Sequence, residues 1–370
     1  MRAVFCRGAC LLLLFIMLFS IQPAAFGEEL EEFGLVEEGQ APQEIVIGGE
    51  EAEDAVLLDE AESPAPVIVI EDAGLPDGAA LRDAGAESFQ AAEDAQDRVR
   101  FAGHALVLGD RIGLAFRLHV PAALRRDSFM RFTGAGEEQL CEIPDTPDAD
   151  GLFRFVCWLS PLQLADEITP VFCRGDMRLR GAAFSVRAFL EEMQEEENLR
   201  PLLYAVGNYG HYAERCFAEG EPQMPSWGEE EYDYARIRGA IEGLRMQWRP
   251  VGLVENVRPL LRVDPDARLY LKVSMYNGFP RLPELSAYGI GLEADEKGCF
   301  ELAAVKLNGL GTMLDVVMSD AGQSAAIRVS ALSMAYDVLE PGGIYTPEQQ
   351  DFCAALCTLF EAVTAYTEEG

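Results

Sequence analysis

Two stretches of this 370-residue chain, about 150 positions apart, run through the same patterns in the same order, which confines the fold to architectures built from a doubled unit. The first opens with His104-Ala105-Leu106-Val107-Leu108, a Gly109-Asp110 turn, and a run from Ile112 to Val120 in which every second residue is apolar. The second opens with Pro259-Leu260-Leu261-Arg262-Val263, an Asp264-Pro265-Asp266 turn, and the same alternation from Leu269 to Met275. Alternation of period two beside a tight turn predicts half-buried strands joined as a hairpin. The match continues through residues 153–158 and 300–305, a short segment at 162–168 and 310–317, then Phe184-Ser185-Val186-Arg187 and Val329-Ser330-Ala331-Leu332. Each copy closes with an apolar stripe at helical spacing. Leu202, Val206, Tyr209, Ala213, Cys216 and Phe217 form the first, and Phe352, Leu356, Leu359, Val363 and Tyr366 the second.

Strands grouped before a closing helix predict an α+β fold of two related units, each an antiparallel sheet or small β-sandwich packed by that helix. The expected divisions are 98–218 for the first unit, 219–250 for a linker with a spacer helix, and 251–370 for the second unit. Pro222, Pro225, Ser226 and Gly228 mark the linker as exposed, and Ile237, Ala240, Ile241 and Leu244 predict the spacer helix over 232–246. Tyr209 and Leu359, equivalent in the two stripes, are each expected to be buried against the sheet of their own unit.

Charge divides the chain more sharply than length does. The net charge is −34, and residues 28–97 hold 22 acids with Arg82 as their single base. That segment lacks Lys, Trp and Tyr, and so few large apolar side chains cannot offset the entropy of ordering it, which predicts a disordered acidic stalk. Three apolar islands interrupt it: Ile45-Val46-Ile47, Ala55-Val56-Leu57-Leu58 and Val67-Ile68-Val69-Ile70. They fit either a solvated spacer, the favoured reading, or short motifs that add a strand to an exposed sheet edge. Ahead of the stalk, Arg2 and Arg7 precede the apolar residues 11–21 and then Ala25-Phe26-Gly27. This is the pattern of a secretory signal peptide spanning 1–27, with cleavage expected after Gly27. An apolar run about half the ~20 residues of a bilayer span makes a permanent transmembrane anchor the weaker reading. Strong negative charge with no basic cluster longer than Arg125-Arg126 argues against nucleic acid and against anionic lipid as partners.

Within the first copy, Ile112-Gly113-Leu114-Ala115-Phe116, Phe132-Thr133-Gly134, Leu164-Ala165-Asp166-Glu167-Ile168, Ser185-Val186-Arg187 and the tract Asn208-Tyr209-Gly210-His211-Tyr212-Ala213-Glu214-Arg215-Cys216-Phe217 resemble one recurrent domain. It is a tandem domain of unknown function in secreted and surface proteins of Gram-positive anaerobes, with signatures such as IGLNFY, EMTDTI and NYGxxAQxYF. Ala115, Arg117 and Glu214 depart from the usual Asn, Tyr and Gln, and Ala355-Leu356-Cys357 stands where the diverged partner domain carries Ala-Leu-Tyr. The resemblance implies an envelope location and a repeat architecture, and it transfers no catalytic residue.

Site chemistry is sparse. The chain beyond the signal has seven cysteines: Cys141, Cys157, Cys173, Cys216, Cys299, Cys353 and Cys357. An odd number in apolar surroundings reads as buried thiols, with a Cys141 to Cys157 or a Cys157 to Cys173 bridge as alternatives in an oxidising compartment. Cys353 and Cys357, one helical turn apart, would need further ligands to hold zinc. Asp145, Asp148, Asp150 and Gly151 resemble a calcium loop, but Leu152 falls where the third acid belongs, so a surface turn is expected there and at Asp264 to Asp266.

No catalytic residue, cofactor site or metal site is assigned. His211, with Asn208 and Tyr212, is the best-placed polar group. Tyr209 falls on the apolar stripe, though, so packing is expected for the segment, with Gly207 and Gly210 letting the helix approach the sheet and His211 tolerating alanine. Trp158, Trp227 and Trp248 are the possible sugar platforms, with Trp227 the expected exposed one. These readings point to an exported, non-catalytic binding or structural module of the cell envelope, with a glycan or an envelope protein as partner. The alternatives are a carbohydrate-active enzyme using surface carboxylates and a scaffold recruiting an envelope protein through the acidic stalk.

Overall fold

Strand alternation in each copy closes two antiparallel sheets against one another. The computed structural model describes residues 68–71, 98–228, 231–263, 267–279 and 281–369. Residues 1–27, read above as a signal peptide, residues 28–97 apart from 68–71, read as a stalk, and the expected turn at 264–266 lie outside the described residues. The first copy contains β2 (Arg100–Leu108), β3 (Ile112–His119), β4 (Ser128–Thr133), β5 (Gln139–Glu142), β6 (Phe153–Leu159), β7 (Thr169–Arg174) and β8 (Met177–Arg180). Ahead of them β1 (Ile68–Glu71) pairs with β2, so the sheets run β1-β2-β3-β6 and β5-β4-β7-β8. Buried Leu114, Phe116 and Leu118 of β3 meet Met130 and Phe132 of β4, with the Phe116 and Phe132 ring centroids 5.7 Å apart. Gly134, just after β4, has φ of 117°, and a Cβ there would sit 1.9 Å from the Glu167 carbonyl oxygen, so only glycine fits.

The second copy repeats this plan with β9 (Val254–Val263), β10 (Ala267–Met275), β11 (Glu284–Ala287), β12 (Ile290–Leu292), β13 (Cys299–Ala304), β14 (Leu314–Asp320) and β15 (Gln323–Val329). Its sheets run β13-β10-β9 and β12-β11-β14-β15. Without β1, every strand of one copy has its counterpart in the other, in the same pairing order. The 3-10 turn at Pro161–Gln163 returns at Leu307–Gly309. The last strand of each copy then leads into a serine-capped helix. Ser185 accepts the Ala188 amide at the start of α1 (Val186–Met193), and Ser330 accepts the Ser333 amide at the start of α4 (Ala331–Val338). The expectation of two related α+β units is met, each as a pair of antiparallel sheets.

Three details differ from the sequence reading. The island at Ile68 to Ile70 is not a solvated spacer: it is the edge strand β1, with Ile70 only 3% exposed. Composition averaged over a long acidic segment hides four residues that pair with β2. The spacer helix is short. It forms α3 (Tyr234–Ala240), capped by Asp233, with Gly239 in its last turn and a 3-10 turn at Glu242–Leu244 just beyond; glycine weakens a helix by about 1 kcal/mol relative to alanine. Finally, the closing helices, α2 (Arg200–Phe217) and α5 (Pro347–Glu369), pack against each other instead of each serving only its own sheets.

The Tyr209 ring stacks on Phe352 at 5.9 Å, and Phe217 meets the same ring edge-on at 5.0 Å. Arg215 of α2 reaches Asp351 of α5 at 3.5 Å. Buried side chains of the first sandwich, α1, α2, α4 and α5 therefore form one continuous core, while Leu271, Val273, Val316, Met318 and Ile327 form a separate core inside the second sandwich. The second stripe ends at Val363, since Tyr366 is 36% exposed.

Replacing Leu359, fully buried, with alanine should destabilise the chain by about 3 kcal/mol through lost burial and a residual cavity. Tyr366→Ala should stay within about 0.5 kcal/mol. Urea unfolding of the two variants checks both values, and equal effects would mean that α5 is not docked as described.

Candidate functional site

Residues three and four apart share a helix face, so Gly207, Gly210, His211 and Glu214 line one side of α2 with Asn208 beside them. What the glycines provide is space. A Cβ on Gly207 would lie 2.3 Å from Trp227, and one on Gly210 would lie 2.9 Å from Leu164 and 3.3 Å from Met224. The groove so formed is filled by the connection leaving α2, and the polar side chains hold that connection by its backbone. Asn208 brackets Trp227, accepting its amide at 2.7 Å and donating to its carbonyl at 2.8 Å. His211 Nδ1 lies 2.7 Å from the Met224 carbonyl. A carbonyl only accepts, so Nδ1 carries the proton. One oxygen of Glu214 accepts the amides of Gln223 at 2.5 Å and Met224 at 2.9 Å, and Glu214 is only 5% exposed.

Four expectations change here. The connection is not a freely exposed linker, because Met224 is buried and the backbone on either side of it is bonded to α2. Trp227 is half-buried, with its ring laid against Gly207, so it is not an exposed platform. His211 is not an idle position beside the stripe, since it supplies one of the bonds to the connection. The close approach allowed by Gly207 and Gly210 is made chiefly by that connection and not by a sheet. Trp158 lies half-buried across Gly113, and Trp248 packs half-buried on the second core.

Beyond the connection, tyrosines gather around Asp351. The Tyr234 hydroxyl donates to Asp351 at 2.6 Å, while the Tyr212 and Tyr232 rings stand 5.5 Å apart. Burial, then the Asp351 hydrogen bond, raise the Tyr234 phenol well above its ordinary value. Burial, then Tyr212 and Asp351, do the same for Tyr232. Both phenols stay protonated, and Tyr234 is the donor to Asp351. Asp166 stands near Glu214, and burial followed by repulsion from Glu214 raises its carboxyl above the usual range. Asp351 thus ties α5 both to α3 through Tyr234 and to α2 through Arg215, and Arg238 of α3 adds a bond to the Tyr336 carbonyl at 3.0 Å.

The remaining candidates resolve locally. All seven cysteines among the described residues are free. Burial pushes Cys157, Cys216 and Cys357 up to about 12, far from the thiolate form that nucleophiles and metal ligands require. Among the described residues no cluster of three metal-ligating side chains occurs. In the loop that resembled a calcium site, the cation is a guanidinium. Arg117 reaches Asp148 at 2.9 Å and Asp150 at 2.6 Å, while Asp148 also accepts the amides of Asp150 and Leu152. Burial opposes ionisation of Asp148, but the Leu152 amide and Arg117 outweigh it and lower its pKa. The second copy repeats the device before β13, where Asp295 accepts the amides of Lys297 and Cys299 and pairs with Arg262 at 3.0 Å.

The second sandwich carries a groove of about 470 Å³ lined by Leu282, Pro283, Leu292, Ala294 and Phe300, with Glu284, Ser286 and Ser319 supplying polar groups. Exposed Leu253, Tyr276 and Phe279 lie at one end of that sandwich, where the Tyr276 amide bonds the Leu253 carbonyl at 2.9 Å. Neither a protein-family model nor a curated protein matches the chain. Among the described residues, no helix is long and apolar enough to cross a membrane.

Glu214→Ala leaves two backbone donors without an acceptor and should cost about 2–4 kcal/mol, whereas His211→Ala, removing one bond, should cost about 1–2 kcal/mol. Asp166→Asn should shift the urea midpoint in a pH-dependent way. The folded-state pKa of Asp166 is raised, so ionisation opposes folding as pH climbs through it. The variant should therefore gain stability at neutral pH relative to the parent and lose that gain below the ordinary carboxylate range.

Proposed function

We propose that the chain is an exported, non-catalytic binding or structural module of the cell envelope, related to the recurrent tandem domain that its first copy resembles. One observation carries the non-catalytic part. Asn208, His211 and Glu214, the residues best suited to acid–base or oxyanion chemistry, are each committed to a backbone group of the chain itself. A histidine whose Nδ1–H is given to a carbonyl and a carboxylate holding two amides serve as clamps. The 470 Å³ groove on the second sandwich supplies the binding part: mostly apolar walls with a few polar groups are the usual composition of a ligand site. The charged start and small-residue pair at Ala25 and Gly27 support export, and the acidic surface keeps such a module off anionic polymers and lipid.

The test is a binding assay run together with a product assay. Immobilised envelope polysaccharides and muropeptides presented to the full chain should retain it saturably, with no new reducing ends or free amines released over hours. Leu292→Asp, placing a charge in the groove wall, should weaken retention about tenfold or more, read on protein that its unfolding transition shows to be folded. Release of product, abolished by replacing a pair of carboxylates, would overturn the non-catalytic reading and establish a carbohydrate-active enzyme.

A further inference from the structure

The two copies differ in the loop that crosses from one sheet to the other. In the first, the chain passes from β3 to β4 through a 3-10 turn at Ala122–Leu124 and exposes Ala122, Ala123 and Arg126 but no aromatic ring. In the second, it passes from β10 to β11 through a 3-10 turn at Tyr276–Gly278, and two rings face solvent, Tyr276 at 58% and Phe279 at 50% exposed. Single exposed apolar residues are ordinary; a group of them held together is not.

Backbone bonds hold this group in place. The Phe279 amide donates to the Tyr276 carbonyl at 3.1 Å, closing the turn between the two aromatic residues, and the Tyr276 amide donates to the carbonyl of exposed Leu253 at 2.9 Å. Asn277 and Gly278 take left-handed backbone, with φ of 52° and 66°, a conformation that asparagine and glycine enter at least cost. Asp320 accepts the Leu253 amide through Oδ2 at 2.8 Å, and Gln323 accepts the Gly252 amide through Oε1 at 3.2 Å. A Cβ on Gly252 would lie 2.2 Å from Asp320, so glycine lets the carboxylate come this close. Asp320 Oδ1 and the Gln323 side-chain N–H groups have no bonding partner among the described residues. The loop then runs on to Leu282 and Pro283, which line the 470 Å³ groove together with Ser319, the neighbour of Asp320. Rings, polar groups and groove therefore adjoin.

We infer that this surface binds a neutral oligosaccharide, one pyranose ring of which stacks on Tyr276 and Phe279 while Asp320 and Gln323 bond its hydroxyls and the sugar chain continues into the groove. The inference rests on the binding role proposed above and names the ligand class for it. A pyranose presents a face of C–H groups and a rim of hydroxyls. Exposed aromatic rings bury the first, and one side chain that accepts beside one that donates satisfies the second. Glu284 is the single charged residue lining the groove and the chain carries a net charge of −34, so an anionic ligand is repelled. An apolar peptide would cover the free Asp320 and Gln323 groups without bonding them, which costs binding energy.

Titration calorimetry of the full chain with chitohexaose and with cellohexaose tests this. Saturable binding of at least one hexaose is expected, weakened about tenfold by Tyr276→Ala and by Phe279→Ala. Both rings are exposed, so both variants should keep the parental urea midpoint, measured on the same samples. The two readings fail separately. If Leu292→Asp weakens retention on envelope polysaccharide but both aromatic variants bind the hexaoses as the parent does, the groove keeps its role and the stacking site is overturned. No binding of either hexaose overturns it too, even where muropeptides are retained, since their peptide part is then the ligand.

Discussion

The Phe352 ring is held by two rings of the other closing helix, Tyr209 stacked on it and Phe217 edge-on to it, and the arrangement of the two copies depends on this contact. An aromatic side chain buries a large area and pairs with its neighbours in a preferred geometry, so one residue can fix both the distance and the rotation between two helices. With α2 and α5 docked, the core of the first sandwich continues through the helices of the second copy. The connection is then drawn into the same assembly from both sides: its first part is clamped by Asn208, His211 and Glu214, and α3 is attached through Tyr234 to Asp351 and through Arg238 to Tyr336.

Duplication explains what the copies share, and divergence shows where their uses part. Both keep the strand order, the serine cap after the last strand, and an aspartate that folds its own loop and holds an arginine. The glycine-lined face of α2 has no counterpart on α5: in the register that equates Tyr209 with Leu359, Cys357 and Phe360 stand in place of Gly207 and Gly210. That difference is physical: α2 must receive a connecting strand of backbone, whereas α5 must fill a core. Likewise β2 is flanked by the extra strand β1, whereas β9 ends its sheet and is flanked by α4.

Strand positions, the repeat and the apolar faces of the closing helices were legible because burial on one side imposes a period of two or 3.6 on the residue pattern. What lies opposite an apolar stripe leaves no such period. Tyr209 reads identically whether it faces its own sheet or Phe352. Backbone clamps are still less visible, since Asn208, His211 and Glu214 bond main-chain groups that every residue possesses, and only Gly207 and Gly210 in mid-helix hinted that something approaches closely. The acidic loop at 145–151 showed the need for a cation but not its identity, which is a guanidinium from Arg117, 31 residues from Asp148. Ile68 to Ile70 was hidden by the acidic composition around it, because pairing with a distant strand is not a property of average composition.

The central claim is that the helix pair makes the two sandwiches one cooperative structure. Trp158 lies against the first sheet and Trp248 against the core of the second sandwich, so single-tryptophan variants retaining one or the other report each copy separately. Urea unfolding followed by tryptophan fluorescence tests the claim most directly. Coincident transitions with the same midpoint and slope are predicted. Two separated transitions, with the second sandwich unfolding while the first retains its signal, would contradict it and leave the copies as independent domains on a tether.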